Sequence, residues 1–185
     1  MMKKKIIGYA LSGHDNLMHV LQSQKNLIRC SECGELLSRE VDLAGLKIKK
    51  KLDISYSYDG FMFASIKFKE YCTNKRFKGI DFKELPDDND YYLVTSTLRI
   101  GFDSKRRKTR FEDFRVCCNR YKNVAGSTPA MLKNNFELEE NTFFWTDVEF
   151  GGNDEKHPLL LVGQETGKLL QKEKFTGFDT GEIWE

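Results

Sequence analysis

The chain has 185 residues, 39% of them hydrophobic and 31% charged, a balance that suits one medium folded domain and not a disordered or membrane-embedded chain. Fourteen Phe, seven Tyr and two Trp can furnish a core, since each buried ring removes a large apolar area from water. Thirty Lys and Arg against 28 Asp and Glu leave a formal charge of only +2, which argues against a dedicated polyanion binder and makes nucleic acid a disfavoured partner.

Taken in chain order, Lys3-Lys4-Lys5 precede a short apolar stretch, Ile6 to Leu11, that stops at Ser12-Gly13. A stretch of this size sits at the lower limit of the roughly 7–15 apolar residues of a secretory leader, and it reads better as an opening strand behind solvated lysines. Leu52 to Tyr58 alternates apolar and polar residues, Asp59-Gly60 signals a turn, and Phe61 to Ala64 continues as a second strand. Ser65 to Arg76 has helical spacing, with Gly79 expected to end that helix. Ile80 to Leu85 predicts a short strand, Pro86 to Asp90 a loop, and Tyr91 to Ile100 one strand rich in aromatic and branched residues. Further on, Asn141 to Phe150 predicts a strand, Gly151 to Asp154 a loop, and Pro158 to Val162 a buried strand. Gln164 to Glu173 predicts a helix ended by Gly177, and Phe178 to Trp184 a last strand.

An offset of 98 residues places Phe77-Lys78-Gly79-Ile80-Asp81 on Phe175-Thr176-Gly177-Phe178-Asp179. The expected fold class is therefore α+β, with mixed sheets, a few short helices and two strand-helix-strand halves at about 52–100 and 141–185. Residues 101–140 form an insertion between them. Residues 1–29 are read as an N-terminal segment and 30–185 as a single compact domain. Apolar runs are short, the longest late one being Leu159 to Val162, far below the roughly 20 residues that span a bilayer. No membrane partner is expected.

The near-neutral total hides a split. Residues 1–120 carry a net charge of +8 and residues 121–185 a net charge of −6. Such a division can be two solvated faces of one fold or a surface that steers a charged partner. For a basic partner the acidic face supplies the candidate contacts: Glu137, Glu139, Glu140, Asp154 and Glu155.

Five cysteines, an odd number, include the pair Cys30-Ser31-Glu32-Cys33 followed by Gly34. A C-x-x-C-G turn projects two thiolates toward one metal ion, and Cys117-Cys118 can add two more; zinc is the expected ion. The alternative is ordinary reduced thiols. Either reading fits a reducing compartment. Among catalytic motifs, Gly163-Gln164-Glu165-Thr166-Gly167-Lys168 has the wrong spacing for a phosphate loop and lacks the Ser or Thr after its Lys.

Several of these segments together resemble one bacterial family. Cys30 to Gly34 resembles the first motif of the double C-x-x-C-G proteins, and Cys118 to Pro129 resembles the second. Phe77 to Leu93, Phe144 to Gly151 and Phe175 to Phe178 are similar to segments of the related immunity proteins of polymorphic toxin systems. The second motif departs from the pattern: Arg115 stands at the first Cys position and Asn119 at the Gly position. The resemblance implies a cytoplasmic, non-catalytic protein that binds and neutralises a cognate toxin, with structural zinc held by Cys30, Cys33, Cys117 and Cys118. A zinc-stabilised nucleic-acid-binding protein and an enzyme of another kind stand as alternatives. The sequence does not set the oligomeric state.

Overall fold

The computed structural model describes residues 5–133 and 137–185. Strands dominate it. In chain order they are β1 (Ile6–Asp15), β2 (Ile54–Tyr56), β3 (Met62–Ser65), β4 (Asp81–Leu85), β5 (Asp88–Thr95), β6 (Arg99–Ile100), β7 (Arg110–Arg115), β8 (Arg120–Ala125), β9 (Phe143–Gly152), β10 (His157–Gly163) and β11 (Phe178–Trp184). The three helices are short: α1 (Ile66–Asn74), α2 (Ser104–Arg107) and α3 (Gln164–Lys172). The architecture is thus a mixed sheet of many strands with few helices, consistent with α+β but mostly β.

The strands form one connected sheet in the order β4-β5-β3-β2-β1-β10-β9-β8-β7, with β11 added on β1 and β6 on β9. Because β6 continues the run of β5, the path through β1, β10, β9, β6, β5, β3 and β2 returns to its start. The two parallel pairings, β1 with β2 and β6 with β9, make this closure.

Two halves with matching registers build the circuit. The first comprises β2, β3, α1, β4 and β5; the second comprises β9, β10, α3, β11 and β1. Helices α1 and α3 lie 98 residues apart at both ends. In the first half Phe63 pairs with Leu93 and Ala64 with Tyr92; in the second Leu161 pairs with Ala10 and Val162 with Tyr9. Phe82 opposite Val94 matches Thr180 opposite Leu11. Ile54 opposite Ala64 matches Phe143 opposite Val162. In the second half the final strand position is filled from the start of the chain, by β1. Residues 6–15 therefore do not belong to a separate N-terminal segment: they are the centre of the sheet, pairing with β10, β11 and β2.

The halves clasp each other reciprocally. Phe143 N donates to Lys78 O at 2.9 Å, and at the equivalent place Ile54 N donates to Thr176 O at 3.1 Å. Gly79 (φ +69°) and Gly177 (φ +82°) lie beneath these crossings. A Cβ on Gly79 would stand 2.2 Å from Phe143 O, and one on Gly177 2.4 Å from Ile54 O. Neither glycine ends its helix as expected. The left-handed residues after the helices are Arg76 (φ +55°) and Lys174 (φ +53°), again 98 apart. The glycines are required by close backbone approach, with positive φ closing the position to other residues.

Three apolar clusters follow from this plan. The shared inner core takes Leu11, Ile54, Met62, Phe68, Phe143, Leu160 and Leu170 from both halves. Full burial of a side chain such as Phe68 contributes roughly 1.5–3 kcal/mol. The outer face of the first half (Phe63, Leu85, Leu93) is covered by Met18, Val20, Leu36, Leu46 and Ile48, from a stretch almost without regular structure. The equivalent outer face of the second half (Leu161, Ile183, Ala10) is covered by Phe102, Val124, Ala130 and Leu132. These coverings, residues 16–53 and 101–133, lie outside the matched ladders. The expected single strand Tyr91 to Ile100 divides into β5 and β6, because the chain changes partner there from β3 and β4 to β9. The expected loop at Gly151 belongs to β9, which runs on to pair with β8.

Candidate metal centre

Cys30 and Cys33 lie in the first covering and Cys117 and Cys118 in the second. Their four sulfurs come within 4.8 Å of one another and can hold a metal ion. Cys30 Sγ is 3.7 Å from Cys117 Sγ, and Cys33 Sγ is 3.7 Å from Cys118 Sγ. Thiolates at the corners of a tetrahedron, each about 2.3 Å from a central ion, lie about 3.8 Å apart. The fifth cysteine, Cys72, is buried in the inner core on α1 and takes no part.

Local folding makes this geometry. The chain on either side of the first knuckle pairs at Arg29 and Leu36, Cys30 N donates to Glu35 O at 2.8 Å, and Gly34 N donates to Cys30 O at 2.9 Å. Gly34 is left-handed at φ +75°. The second turn joins β7 to β8, where Arg115 pairs with Arg120. Cys118 N lies 3.4 Å from Arg115 O, and Asn119 is left-handed at φ +55°. Asn is among the few residues with a side chain that tolerate this conformation. Asn119 thus holds the left-handed place in this turn that Gly34 holds in the first, and both Cys117 and Cys118 reach the cluster.

Arg115 itself has a different task. Its Nη1 donates to Cys33 O at 3.0 Å, and its Nε lies 3.8 Å from the Glu35 carboxylate. Buried Glu35 also pairs with buried Lys156, whose Nζ donates to the carbonyls of Tyr121 at 2.8 Å and Lys122 at 3.2 Å. Arg120 donates to the Leu36 and Leu37 carbonyls at 2.7 and 2.9 Å. Of these cations Arg115 stands beside the thiols, where it offsets part of the negative charge that four thiolates would bring. A hydrogen bond from the Glu35 backbone holds the Cys33 thiol down at about 6, while hydrogen bonding to Cys33 and burial push Cys117 up to about 12. Spacing pointed to Cys30 and Cys33, and the resemblance to a second motif drew in Cys117 and Cys118; Arg115 was visible only as the residue at a Cys position, and no local signal pointed to Glu35 or Lys156.

The acidic candidates scatter. Glu140 caps α3: its carboxylate accepts from Glu165 N at 3.1 Å and from Thr166 N and Thr166 Oγ1, each at 2.9 Å. Burial pushes the Glu140 carboxyl up, but these hydrogen bonds outweigh it and hold the group below its ordinary range. Asp154 receives both arms of Arg29, at 3.1 and 2.6 Å, and so ties the first knuckle to the β9–β10 turn. Glu140 is committed to N–H groups at the start of α3 that would otherwise lack a partner, and Asp154 is engaged by the half-exposed Arg29. Glu137, Glu139 and Glu155 are exposed; Glu139 makes a 3.8 Å contact with Lys78.

The second turn also carries an exposed aromatic group. Phe111 and Phe114 on β7 flank Tyr121 on β8, with ring centres 5.1 and 4.9 Å from it, and Arg106, Arg107, Lys108 and Arg110 precede them. Among the described residues no helix is long and apolar enough to cross a membrane. No protein-family model matches this chain, and no curated protein matches it.

Proposed function

We propose that this chain is a zinc-stapled, non-catalytic binding protein of the immunity kind, acting in the cytoplasm by occluding a cognate toxin. The observation that carries the reading is the meeting of the two knuckles. The resemblance to double C-x-x-C-G proteins implies a metal shared between two distant motifs, and two turns 85 residues apart along the chain converge on one point. Four thiolates with no open position favour zinc in a structural role, where it would supply a cross-link and no chemistry. Cys30, Cys33, Cys117 and Cys118 would hold it, and the matched ladders support reading the two halves as copies of one unit. Co-expression with the product of the adjacent open reading frame tests the immunity role. The expected result is a complex that purifies together and relief of toxicity; absence of both overturns it.

A second reading, a zinc-stabilised nucleic-acid-binding protein, is favoured by the exposed Phe111, Phe114 and Tyr121 beside a row of cations, the combination on which single-stranded bases stack. It requires oligonucleotide binding that weakens steeply with salt. No binding at low salt removes it.

A further inference from the structure

A cleft of about 1090 Å3 opens between the two coverings, over the junction of the two halves. Its floor is built by equivalent positions: Tyr56 of β2 and Trp145 of β9 occupy matching register sites, and both line it. Gly60 and Pro158, 98 residues apart, line it as well. One side is Arg39 and its neighbours in the first covering, and the other is Phe111, Arg120 and Tyr121 in the second. Concave sites at the junction of two structural units are where small ligands are usually held.

The chemistry of the wall is specific. Six rings reach it: Tyr56, Phe61, Phe111, Tyr121, Trp145 and the imidazole of His157. The Arg99 guanidinium lies 5.0 Å from the Trp145 ring centre, and its one side-chain hydrogen bond among the described residues is a 3.5 Å approach to Thr146 O. Arg39 and Arg120 donate to main-chain carbonyls, and Lys83 and Lys156 add positive charge. Against these cations stand Glu40, Asp147 and Glu149, of which Asp147 is taken by Lys133 at 2.9 Å and Phe102 N at 2.8 Å.

We propose that this cleft binds a small planar aromatic anion, its ring against Tyr56 and Trp145 and its negative group on Arg99. Each covering contributes one side of the cleft, and the cysteine cluster lies between the two coverings.

The test is a titration of the purified, metal-loaded chain with 8-anilinonaphthalene-1-sulfonate, beside N-phenyl-1-naphthylamine, which has the same rings without the sulfonate. Saturable one-to-one binding of the sulfonate is expected, with the neutral probe at least about tenfold weaker, as loss of a charge-assisted hydrogen bond dictates. Arg99→Glu, an exposed substitution, is expected to weaken the sulfonate at least about tenfold. Trp145→Leu removes a ring face and is expected to weaken both probes by about threefold or more. Ile66→Ser, exposed on α1 and outside the cleft, is expected to leave binding unchanged. No saturable binding, equal binding of the two probes, indifference to both Arg99→Glu and Trp145→Leu, or loss on Ile66→Ser would overturn the proposal.

Discussion

In the first half α1 is capped by its own residue: the Ser65 hydroxyl accepts from Phe68 N at 3.3 Å. In the second half the equivalent position is Gly163, which has no side chain to offer, and Glu140 reaches over from the loop before β9 to take the same role. The ladders of the two halves match pair for pair, but their outer coverings share nothing. One is a loop-rich stretch with a single three-residue turn of helix; the other contains α2 and the β7–β8 hairpin. What recurs is what the inner core and the backbone hydrogen bonds require. What does not recur carries the cysteines, the exposed rings and the walls of the cleft.

The matched glycines give the largest test of that contrast. Gly79→Ala and Gly177→Ala each force a Cβ against a carbonyl at positive φ, and each should cost at least about 2 kcal/mol in denaturant unfolding. Similar losses would confirm the equivalence of the two crossings; a loss at one alone would break it. Next comes Cys72→Ser, which places a hydroxyl in the inner core where burial pushes the native thiol's pKa up. It should cost about 1–3 kcal/mol and leave metal content untouched, whereas Cys118→Ser should abolish metal binding.

The caps come third. Ser65→Ala and Glu140→Gln should each cost about 1 kcal/mol. The Glu140 contribution depends on pH: its folded carboxyl sits below the ordinary value, so its stabilisation is complete above about 4.5 and fades as pH falls through the folded value. Glu140→Gln should therefore flatten the acid limb of a stability–pH curve, and Ser65→Ala, which also removes a donor that helps hold the Asp53 carboxyl low, should flatten it as well.

The smallest effect concerns His157, which faces the Tyr56 ring and the charges of Arg39, Glu149 and Glu155 at the edge of the cleft. Burial, and then Arg39, lower its pKa, so the unfolded chain takes up this proton first and stability declines as pH falls below about 6.5. The difference in urea midpoint between His157→Gln and the native chain should narrow from pH 7.5 to pH 5.5.

Part of this molecule was legible in the sequence for a physical reason. Helices, turns and the C-x-x-C spacing are set by neighbours along the chain, so α1, α3, the offset between Phe77 and Phe175, and the Cys30–Cys33 pair could be read directly, whereas the meeting of that pair with Cys117 and Cys118 depends on the fold. The place of β1 could not: Ile6 to Asp15 reads as a strand, but its position between β10, β11 and β2 depends on partners more than 35 residues away. The same holds for Glu140, read as a surface charge until the helix end it serves is brought beside it. It also holds for the Arg115–Glu35–Lys156 network, whose members share no spacing. Gly79 and Gly177 were recognised as special by their neighbours, but the crossing strands that require them are long-range.

The account rests most heavily on the claim that a metal ion joins the two coverings. Metal content of the chain purified under reducing conditions, read together with backbone hydrogen exchange before and after chelation, tests it directly. The predicted result is one zinc per chain, lost in Cys118→Ser. On chelation, exchange should accelerate in residues 28–37 and 110–125, while β3, β5 and β10 keep their protection. Less than about half an equivalent of zinc, or unchanged exchange in both knuckles after its removal, would contradict the account.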